Sequence, residues 1–185
     1  MKKGLLIVLG VVVILSIWVY SSYNSLVPLN EQADAQWAQV QTAYQRRLDL
    51  IPNLVNSTKG VLGQEQKVYG DIAEARTRYS GATTPDAQAA AASNLECSIG
   101  RLLVITDNYP VLASSQTVKD LMTELEGTEN RIKVERGRFN DIVQVYNTKV
   151  KTFPTNMVAG LFGFHARNYF QADAAASTAP VVNLQ

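Results

Sequence analysis

Apolar side chains recur in alternating steps of three and four along most of this chain, which is the spacing of helices that pack along one face. The pattern starts at Tyr23, passes through Trp37, Tyr44 and Leu54, and continues to Tyr79. One very long first helix is therefore predicted over this stretch. Strands would need alternating apolar and polar positions. That alternation is absent outside the apolar N-terminal run, so the pattern predicts an all-α fold.

Pro52 lies inside this first helix, in the stretch RRLDLIPNLV from Arg46 to Val55. Its ring crowds the carbonyl of Leu48, and its nitrogen has no hydrogen to donate. The apolar register stays in phase on both sides, so a kink near Pro52 is predicted rather than a break. Pro28 is different, because a joint there would let the helix restart from a cap at Asn30.

Turn-forming residues divide the rest of the chain into three further helices. SGATTPD, Ser80 to Asp86, ends the first helix and starts a second one that runs to about Asn108. The third helix follows DNYP at 107–110 and stops at Phe153–Pro154, and a short fourth segment covers about Thr155 to Ala176. Four helices with short connections predict an up-and-down (antiparallel) four-helix bundle, in which the second helix runs antiparallel to the first.

The same spacing assigns the inward faces of the second and third helices. In the second helix the inward side chains are Ala89, Ala92, Leu95, Ile99, Leu102 and Leu103. In the third helix they are Val118, Leu121, Leu125, Thr128, Ile132, Glu135, Phe139, Ile142, Tyr146 and Lys149, with Met122, Val143 and Val150 at the edge of the stripe. These faces are predicted to form the core of the bundle.

An apolar run at the N-terminus predicts a membrane anchor. GLLIVLGVVVILSIWVY, Gly4 to Tyr20, contains no charge, and its extension to Tyr23 makes 20 residues. As a helix, that length matches the hydrocarbon core of a bilayer, about 30 Å. A cleaved signal peptide is the alternative, because Val19 and Ser21 form a weak cleavage site. However, the run is longer than the apolar part of a signal peptide and ends in aromatic residues suited to a membrane interface.

Charge at the two ends of the run predicts its orientation. Lys2 and Lys3 precede it, whereas residues 21–40 contain no Lys or Arg, so the N-terminus is predicted to be cytoplasmic and the rest of this single-pass protein extracytoplasmic. The predicted organisation is a cytoplasmic N-terminus and transmembrane anchor at 1–23, a helical bundle at 24–176 and a C-terminal tail at 177–185.

Composition removes several classes of function. The 17 basic side chains nearly balance the 16 acidic ones without a basic block, so nucleic acid is not a predicted partner. His165 is the single histidine, which excludes a two-histidine metal site within one chain, and it is interpreted as a surface or packing residue. Cys97, the single cysteine, is predicted to be a buried small hydrophobe. We predict no catalytic, cofactor-binding or metal-ligating residue and no small-molecule substrate.

Charged residues fall on the apolar stripe at Arg47, Glu65 and Glu135. A buried charge without a partner is costly. One interpretation is that these long side chains reach solvent at the edge of the stripe, and the other is that they fix helix register or contact a neighbouring protomer or partner protein. Whether they pair within one chain or between chains is left open. Arg46 and Asp49 are predicted to form a local contact on a solvated helix face, which is the best local candidate for a partner surface because Pro52 is near.

Several sequence words occur together along the chain. They are YNSLV at 23–27, AQWAQVQ at 35–41, RRLDLIPNLVNSTKG at 46–60, YPVL at 109–112, LEGTENRI at 125–132, RGRFNDIVQVYN at 136–147, FP at 153–154 and GFHARNYF at 163–170. In this combination the chain resembles the LemA family of bacterial membrane proteins over nearly its whole length. Two positions depart from that family: Phe139 stands where Tyr is common, and Pro28 is not expected.

The resemblance implies an anchored, up-and-down helical bundle with no known catalytic activity and no cofactor. Members of that family often accompany membrane proteases or other envelope proteins, and one relative belongs to magnetosome membranes. The resemblance therefore implies a non-enzymatic scaffold or assembly protein of the bacterial envelope. The long first helix, the small residues of the second helix and the charges on the apolar stripe lead us to expect a homo-oligomer, anchored in the lipid of the bacterial inner (cytoplasmic) membrane by residues 4–23. The alternative is an adaptor for an envelope membrane protease or signalling complex, with RRLDLIPNLV or GFHARNYF engaging the partner.

Overall fold

The computed structural model describes residues 2–59 and 66–170, and these residues form helices without any strand. The helices are α1 (Lys2–Lys59), α2 (Gln66–Gly81), α3 (Pro85–Asp107), α4 (Pro110–Ser114), α5 (Gln116–Lys151) and α6 (Thr155–Phe162). The all-α prediction is confirmed. The described residues form two compact units. The first contains residues up to Ala38 together with Gly137–Tyr169, and the second contains Gln39–Arg136 together with Phe170.

Helix α1 runs without interruption through both of its prolines. The prediction that the chain stays helical across Pro52 is therefore confirmed. The predicted restart at an Asn30 cap is wrong, because Pro28 also lies inside α1. Each proline removes one backbone hydrogen bond and crowds one carbonyl, and the turns on either side keep their own bonds.

The prediction of a single helix from Tyr23 to Tyr79 is wrong. The rings of Tyr44 and Tyr79 lie 5.2 Å apart, and the Tyr69 hydroxyl donates to Thr58 Oγ1 at 3.1 Å. One continuous helix would separate residues 44 and 79 by about 50 Å. Helix α2 therefore lies back along α1, antiparallel to it. Apolar residues have the same spacing in one continuous helix and in two helices that fold back on each other. The apolar pattern therefore did not distinguish these two structures.

The inserted α2 changes the directions of the helices that follow in the second unit. Gln41 donates to Gln88 at 2.8 Å, and the Tyr44 hydroxyl donates to Glu96 at 2.9 Å, so α3 runs parallel to α1. The prediction that this helix runs antiparallel to the first is therefore wrong. Helix α5 runs antiparallel to α1, because Arg47 pairs with Glu129, while Arg136, further along α5, lies over the ring of Tyr44.

The predicted core stripes of the two later helices are largely confirmed. In α3 the buried side chains include Ala92, Leu95, Ile99 and Leu102. In α5 they are Val118, Leu125, Thr128, Ile132, Glu135, Phe139, Val143, Tyr146, Asn147 and Val150. After Phe139 the stripe follows Val143 and Val150 rather than Ile142 and Lys149, because an α-helix of 3.6 residues per turn drifts away from a strict heptad.

Cys97 is exposed, so its predicted burial is wrong. It lies two residues from Leu95 and two from Ile99, both of which are buried. Two residues rotate a helix by about 200°, which places Cys97 on the face opposite the core. The surrounding alanines masked this in the sequence, because they allow either face to be interpreted as apolar.

The first unit ends in α6 and residues 163–169 of the segment GFHARNYF. Its core contains Leu26, Tyr146, Val150 and Ala159. Helix α6 stops at Phe162, so the prediction of helix beyond this residue to Ala176 is wrong for residues 163–170, and residues 171–176 lie outside the described part of the chain. Gly163 adopts a left-handed conformation, with φ 76°, that ends the helix and favours glycine.

The apolar run at residues 4–20 is the N-terminal part of α1, and its large side chains are exposed except Trp18 and Val19, which are partly buried. Among the described residues, α1 is the helix that is long and apolar enough to cross a membrane, with a mean hydropathy of 2.5 in its most apolar window and none of that window buried. A signal sequence meets the same criterion. The predicted domain bounds stay predictions, and the tail at 177–185 lies outside the described residues, as do Val61 and Glu65 of the predicted stripe.

We predict that spin labels on Gln45 and Arg78 lie close together in the full-length protein. Both side chains are exposed, and the antiparallel packing of α2 on α1 brings the labels within about two helix diameters, roughly 20 Å. Double electron–electron resonance, with Cys97→Ser as background, measures this distance. A distance near 50 Å, the value for one continuous helix, would contradict the fold.

Candidate functional site

Arg136 of α5 is the centre of a charged cluster in the second unit. Its guanidinium lies over the ring of Tyr44 at 5.3 Å and over the ring of Phe170 at 5.0 Å. Its Nη2 is 3.1 Å from Glu96 Oε1, and the same oxygen accepts the 2.9 Å hydrogen bond from Tyr44. Three helices and the segment after α6 therefore meet at one cation. We call Tyr44, Glu96, Arg136 and Phe170 the Arg136 cluster.

Arg47 of α1 is buried and pairs with Glu129 of α5, whose side chain is half exposed. Its Nε has no hydrogen-bond partner. An open groove of about 490 Å³ lies beside this pair, lined by Arg47, Glu96, Gly100, Leu103, Leu125, Glu126, Glu129 and Asn130. Beside this groove the Glu129 side chain is 46% exposed, whereas the Arg47 side chain is only 6% exposed.

The charges on the apolar stripe pair within one chain. Arg47 pairs with Glu129, and Glu135 accepts from Arg131 Nε at 2.7 Å. The prediction that Arg47 and Glu135 reach solvent is wrong, since they are only 5% and 2% exposed; their partners reach solvent instead. A charge on a stripe can be neutralised by a longer or more exposed side chain from a neighbouring turn or helix, so it need not leave the core itself. Glu65 lies outside the described residues.

Burial sets the protonation of the tyrosines in this region. Burial and, to a lesser extent, the negative charge of Glu96 raise the pKa of Tyr44 far above its ordinary value. The positive charge of Arg136 opposes this rise. Burial also raises the pKa of Tyr79 to about 12, again opposed by Arg136. Both phenols are therefore neutral at physiological pH. The Tyr44 hydroxyl donates to Glu96, and the rings of Tyr44 and Tyr79 lie 5.2 Å apart.

Arg167 of the first unit holds GFHARNYF against α1. Its Nη1 and Nη2 donate to the two carboxylate oxygens of Asp34 at 2.7 and 2.8 Å, and Nη2 also donates to Asn30 at 2.8 Å. The guanidinium lies 5.7 Å from the centre of the Tyr146 ring. The hydrogen bonds to Asp34 raise the pKa of Arg167. A two-pronged arginine–carboxylate pair fixes orientation as well as distance.

Asn147 holds the backbone of the same residue against α5. The Arg167 amide N–H donates to Asn147 Oδ1 and the Asn147 Nδ2 donates to the Arg167 carbonyl, each at 2.8 Å. Asn147 is buried. Its amide therefore acts as a backbone-like partner for a segment that has no regular structure of its own. We call Asn30, Asp34, Asn147 and Arg167 the Arg167 clasp.

Of the residues singled out from the sequence, Arg47 and Glu135 form the separate ion pairs described above, and Asn30 belongs to the Arg167 clasp. Arg46 is exposed and lines a shallow groove near Arg131, and Asp49 accepts a hydrogen bond from Gln45 rather than from Arg46. His165 is exposed. Within residues 2–59 and 66–170, no three His, Cys, Asp or Glu side chains come together as a metal ion would require.

Sequence reasoning missed both Arg136 and Arg167. The contacting pairs are far apart in the chain: Tyr44 and Glu96 are 52 residues apart, and Asp34 and Arg167 are 133 apart. Helical spacing carries no information at such distances. The one available signal was that both arginines fall within quoted words, RGRFNDIVQVYN and GFHARNYF.

These features define an all-helical protein with an exposed apolar N-terminal helix and two internally paired charge clusters. The sequence profile of the LemA family matches residues 36–184. The chain belongs to the LemA family, so the resemblance drawn from its sequence words is confirmed.

Individual relatives share about a quarter of their aligned residues with this chain. Magnetosome proteins MamQ 1 and MamQ 2 of Paramagnetospirillum magneticum are each 26% identical to this chain, over 88% of its length and 69% of theirs. Protein LemA of Metamycoplasma hominis is 25% identical over 72% of this chain and 61% of its own length. In each case the aligned region covers most of this chain.

We predict that Glu96→Gln lowers the free energy of unfolding by about 1–3 kcal/mol, because it leaves Arg136 partly buried without its charged partner. Urea denaturation in detergent micelles, followed by circular dichroism, measures the change. Glu74→Gln is the matched control: it breaks an exposed pair with Arg78, for which about 0.5 kcal/mol or less is expected. Equal losses in the two variants would contradict a structural role for the cluster.

We predict that stability falls between pH 10 and about 12, partly because of Tyr79. The contribution of Tyr79 is fully present below pH 10; above it, the unfolded state releases the phenolic proton while the folded state keeps it, until the raised pKa is reached. The loss is at most about 1.4 kcal/mol per pH unit for this group. Denaturation across this range should show a shallower fall for Tyr79→Phe than for the parent. Tyr169→Phe, at an exposed position, should leave the slope unchanged.

We predict that Asn147→Ala releases the backbone around Arg167. Two hydrogen bonds are lost, each worth about 1 kcal/mol, so hydrogen exchange at the Arg167 amide should accelerate roughly tenfold to a hundredfold. Exchange followed by mass spectrometry on peptides covering 163–170 measures this. The exposed control Asn53→Ala should leave those peptides unchanged. Unchanged exchange in Asn147→Ala would remove Asn147 from the clasp.

Proposed function

We propose that this protein is a membrane-anchored, non-enzymatic scaffold or assembly protein of the bacterial envelope. The observation that carries the proposal is the continuity of α1. The same helix contains the exposed apolar run at residues 4–20 and, further on, the buried face that begins at Leu26. This helix is apolar and exposed at one end, and further on it is amphipathic with its apolar face buried. That arrangement suits a protein held in lipid at one end. Family membership supports the same proposal.

The anchor is residues 4–23, in the cytoplasmic membrane, with the N-terminus in the cytoplasm. Lys2 and Lys3 support that orientation. The bundle then lies outside the cytoplasm, as an up-and-down arrangement in which α1, α2, α3 and α5 follow one another. A reporter enzyme fused after Gln185, active only outside the cytoplasm, tests this: activity is expected, and its absence alongside an active cytoplasmic reporter would reverse the topology. The mass of the mature protein distinguishes an anchor from a cleaved signal peptide.

A structural rather than catalytic role is supported by the way in which the ionisable groups are used. Glu96 and Arg136 pair with each other, Arg47 with Glu129, and Arg167 with Asp34. Each of these groups is held by a charged partner on another segment of the chain, which suits a role in joining helices. A substrate screen with His165→Ala as control tests this. Activity that disappears with that side chain would overturn the proposal of a non-enzyme.

Self-assembly is the form of scaffolding that we propose. Its support is that three apolar side chains of the second unit, Val104, Val111 and Val134, are exposed, and contact with a second copy would cover them. Light scattering of the detergent-solubilised protein over a dilution series measures the mass of the particle. A multiple of the chain mass is expected, and a monomer at every concentration would remove self-assembly from the proposal.

An adaptor for an envelope protease or signalling complex is the second candidate function. A groove of about 570 Å³ favours it. Its lining includes Ile51, Pro52, Val55, Lys59, Tyr69, Ile72 and Arg76. RRLDLIPNLV thus borders an open groove, whereas GFHARNYF is held in the Arg167 clasp. Of the two predicted partner segments, the first is the better supported.

Photo-crosslinking in cells distinguishes the two functions. A photoreactive amino acid at Asn56, which is exposed and lines the groove, captures whatever binds there. The matched control is Lys133, exposed on α5. Products that join only copies of this chain favour assembly. Products with another envelope protein from Asn56, absent from Lys133, favour the adaptor.

A further inference from the structure

Helix α6 has an apolar outer face that the first unit does not cover. Its inner face is buried through Val158 and Ala159, which pack towards the core that contains Leu26, Tyr146 and Val150. The large side chains of the outer face are exposed, Met157 by 65%, Leu161 by 76% and Phe162 by 49%, and Phe153 in the turn just before the helix is exposed by 74%. Met157 and Leu161 are spaced by four, so they form one stripe along the helix.

This stripe lies beside the apolar part of α1. The ring of Phe162 is 4.9 Å from the ring of Tyr23, and Phe164 is 5.7 Å from the same ring. Phe162 also lines an apolar groove of about 490 Å³ whose other walls are Val12, Leu15, Ser16, Val19, Tyr20 and Tyr23 of α1. The exposed face of α6 is therefore continuous with the surface of the anchor segment at the end where that segment leaves the bilayer.

Charge around α6 suits a lipid surface. Residues 142–170 contain no Asp or Glu, while Lys149 and Lys151 are exposed in the last turn of α5, just before α6. A short helix with an apolar face and flanking lysines can lie in the interface, with its apolar side chains among the acyl chains and its cations near anionic head groups.

We propose that α6 with Phe153 is a second membrane contact, lying in the interface of the same bilayer that residues 4–23 cross. The proposal rests on the proposed anchoring. Phe153, Met157 and Leu161 contact acyl chains, and Lys149 and Lys151 contact phosphate head groups. Lipid is the occupant because the anchor beside α6 places these side chains at the bilayer edge. The first unit is thereby held to the membrane at two points instead of one.

Spin-label accessibility in the full-length protein tests this. Single cysteines, in a Cys97→Ser background, replace Met157, Leu161, Gln144 on the exposed face of α5, and Leu9 in the anchor. The protein is reconstituted into phosphatidylethanolamine–phosphatidylglycerol vesicles. Power saturation then compares the access of oxygen, which enters lipid, with that of a water-soluble nickel complex. All four positions are exposed, so each variant should fold, and circular dichroism checks this.

Labels at Met157 and Leu161 are expected to favour oxygen, as Leu9 does, and the label at Gln144 to favour nickel. If the α6 labels match Gln144 while Leu9 favours oxygen, the second contact is overturned and the anchor stands. If Leu9 also favours nickel, the anchor itself is overturned. If both collision agents are excluded at Met157 and Leu161, protein rather than lipid covers α6, and the proposal is again overturned.

Discussion

An arginine side chain that leaves water needs a partner for its charge, and this requirement organises both units of the protein. In the second unit, Arg136 lies between two aromatic rings and beside Glu96. In the first, Arg167 is held by Asp34 and Asn30 and lies near the ring of Tyr146. Apolar contacts along a helical stripe allow helices to slide in steps. A guanidinium with fixed partners prevents such sliding, because any shift of the helices would leave a charge without its partner.

The same requirement supports the proposal that these charges have a structural role. A reactive group needs a free lone pair or a free proton at the place where a substrate can lie. Here Glu96 is occupied by Arg136 and by the hydroxyl of Tyr44, whose raised pKa keeps it neutral. Such a cluster joins helices and sets their register. It is consistent with a protein whose work is done by its surfaces and by its attachment to a membrane.

Much of the fold followed from local rules. The spacing of apolar residues predicted helices and the buried faces of α3 and α5, and turn residues located their ends near 81–85, 107–110 and 153–154. The sequence words identified the LemA family. Each of these depends on neighbours within a few turns of one helix or on words read along the chain. The return of α2 along α1 could not be predicted from these rules, because an apolar stripe shows that one face of a helix is buried but not which element packs against it.

The candidate site divides in the same way. The sequence alone determined that Arg47 and Glu135 stand on the core stripe and that no two-histidine site can form. Only the tertiary structure decided that their partners are Glu129 and Arg131, that Arg136 meets Tyr44 and Glu96, and that Arg167 reaches Asp34 from 133 residues away. Periodicity acts over a turn or two of helix, whereas a charge accepts any partner that the folded chain brings within reach. Which partner that is depends on the directions in which the helices pack.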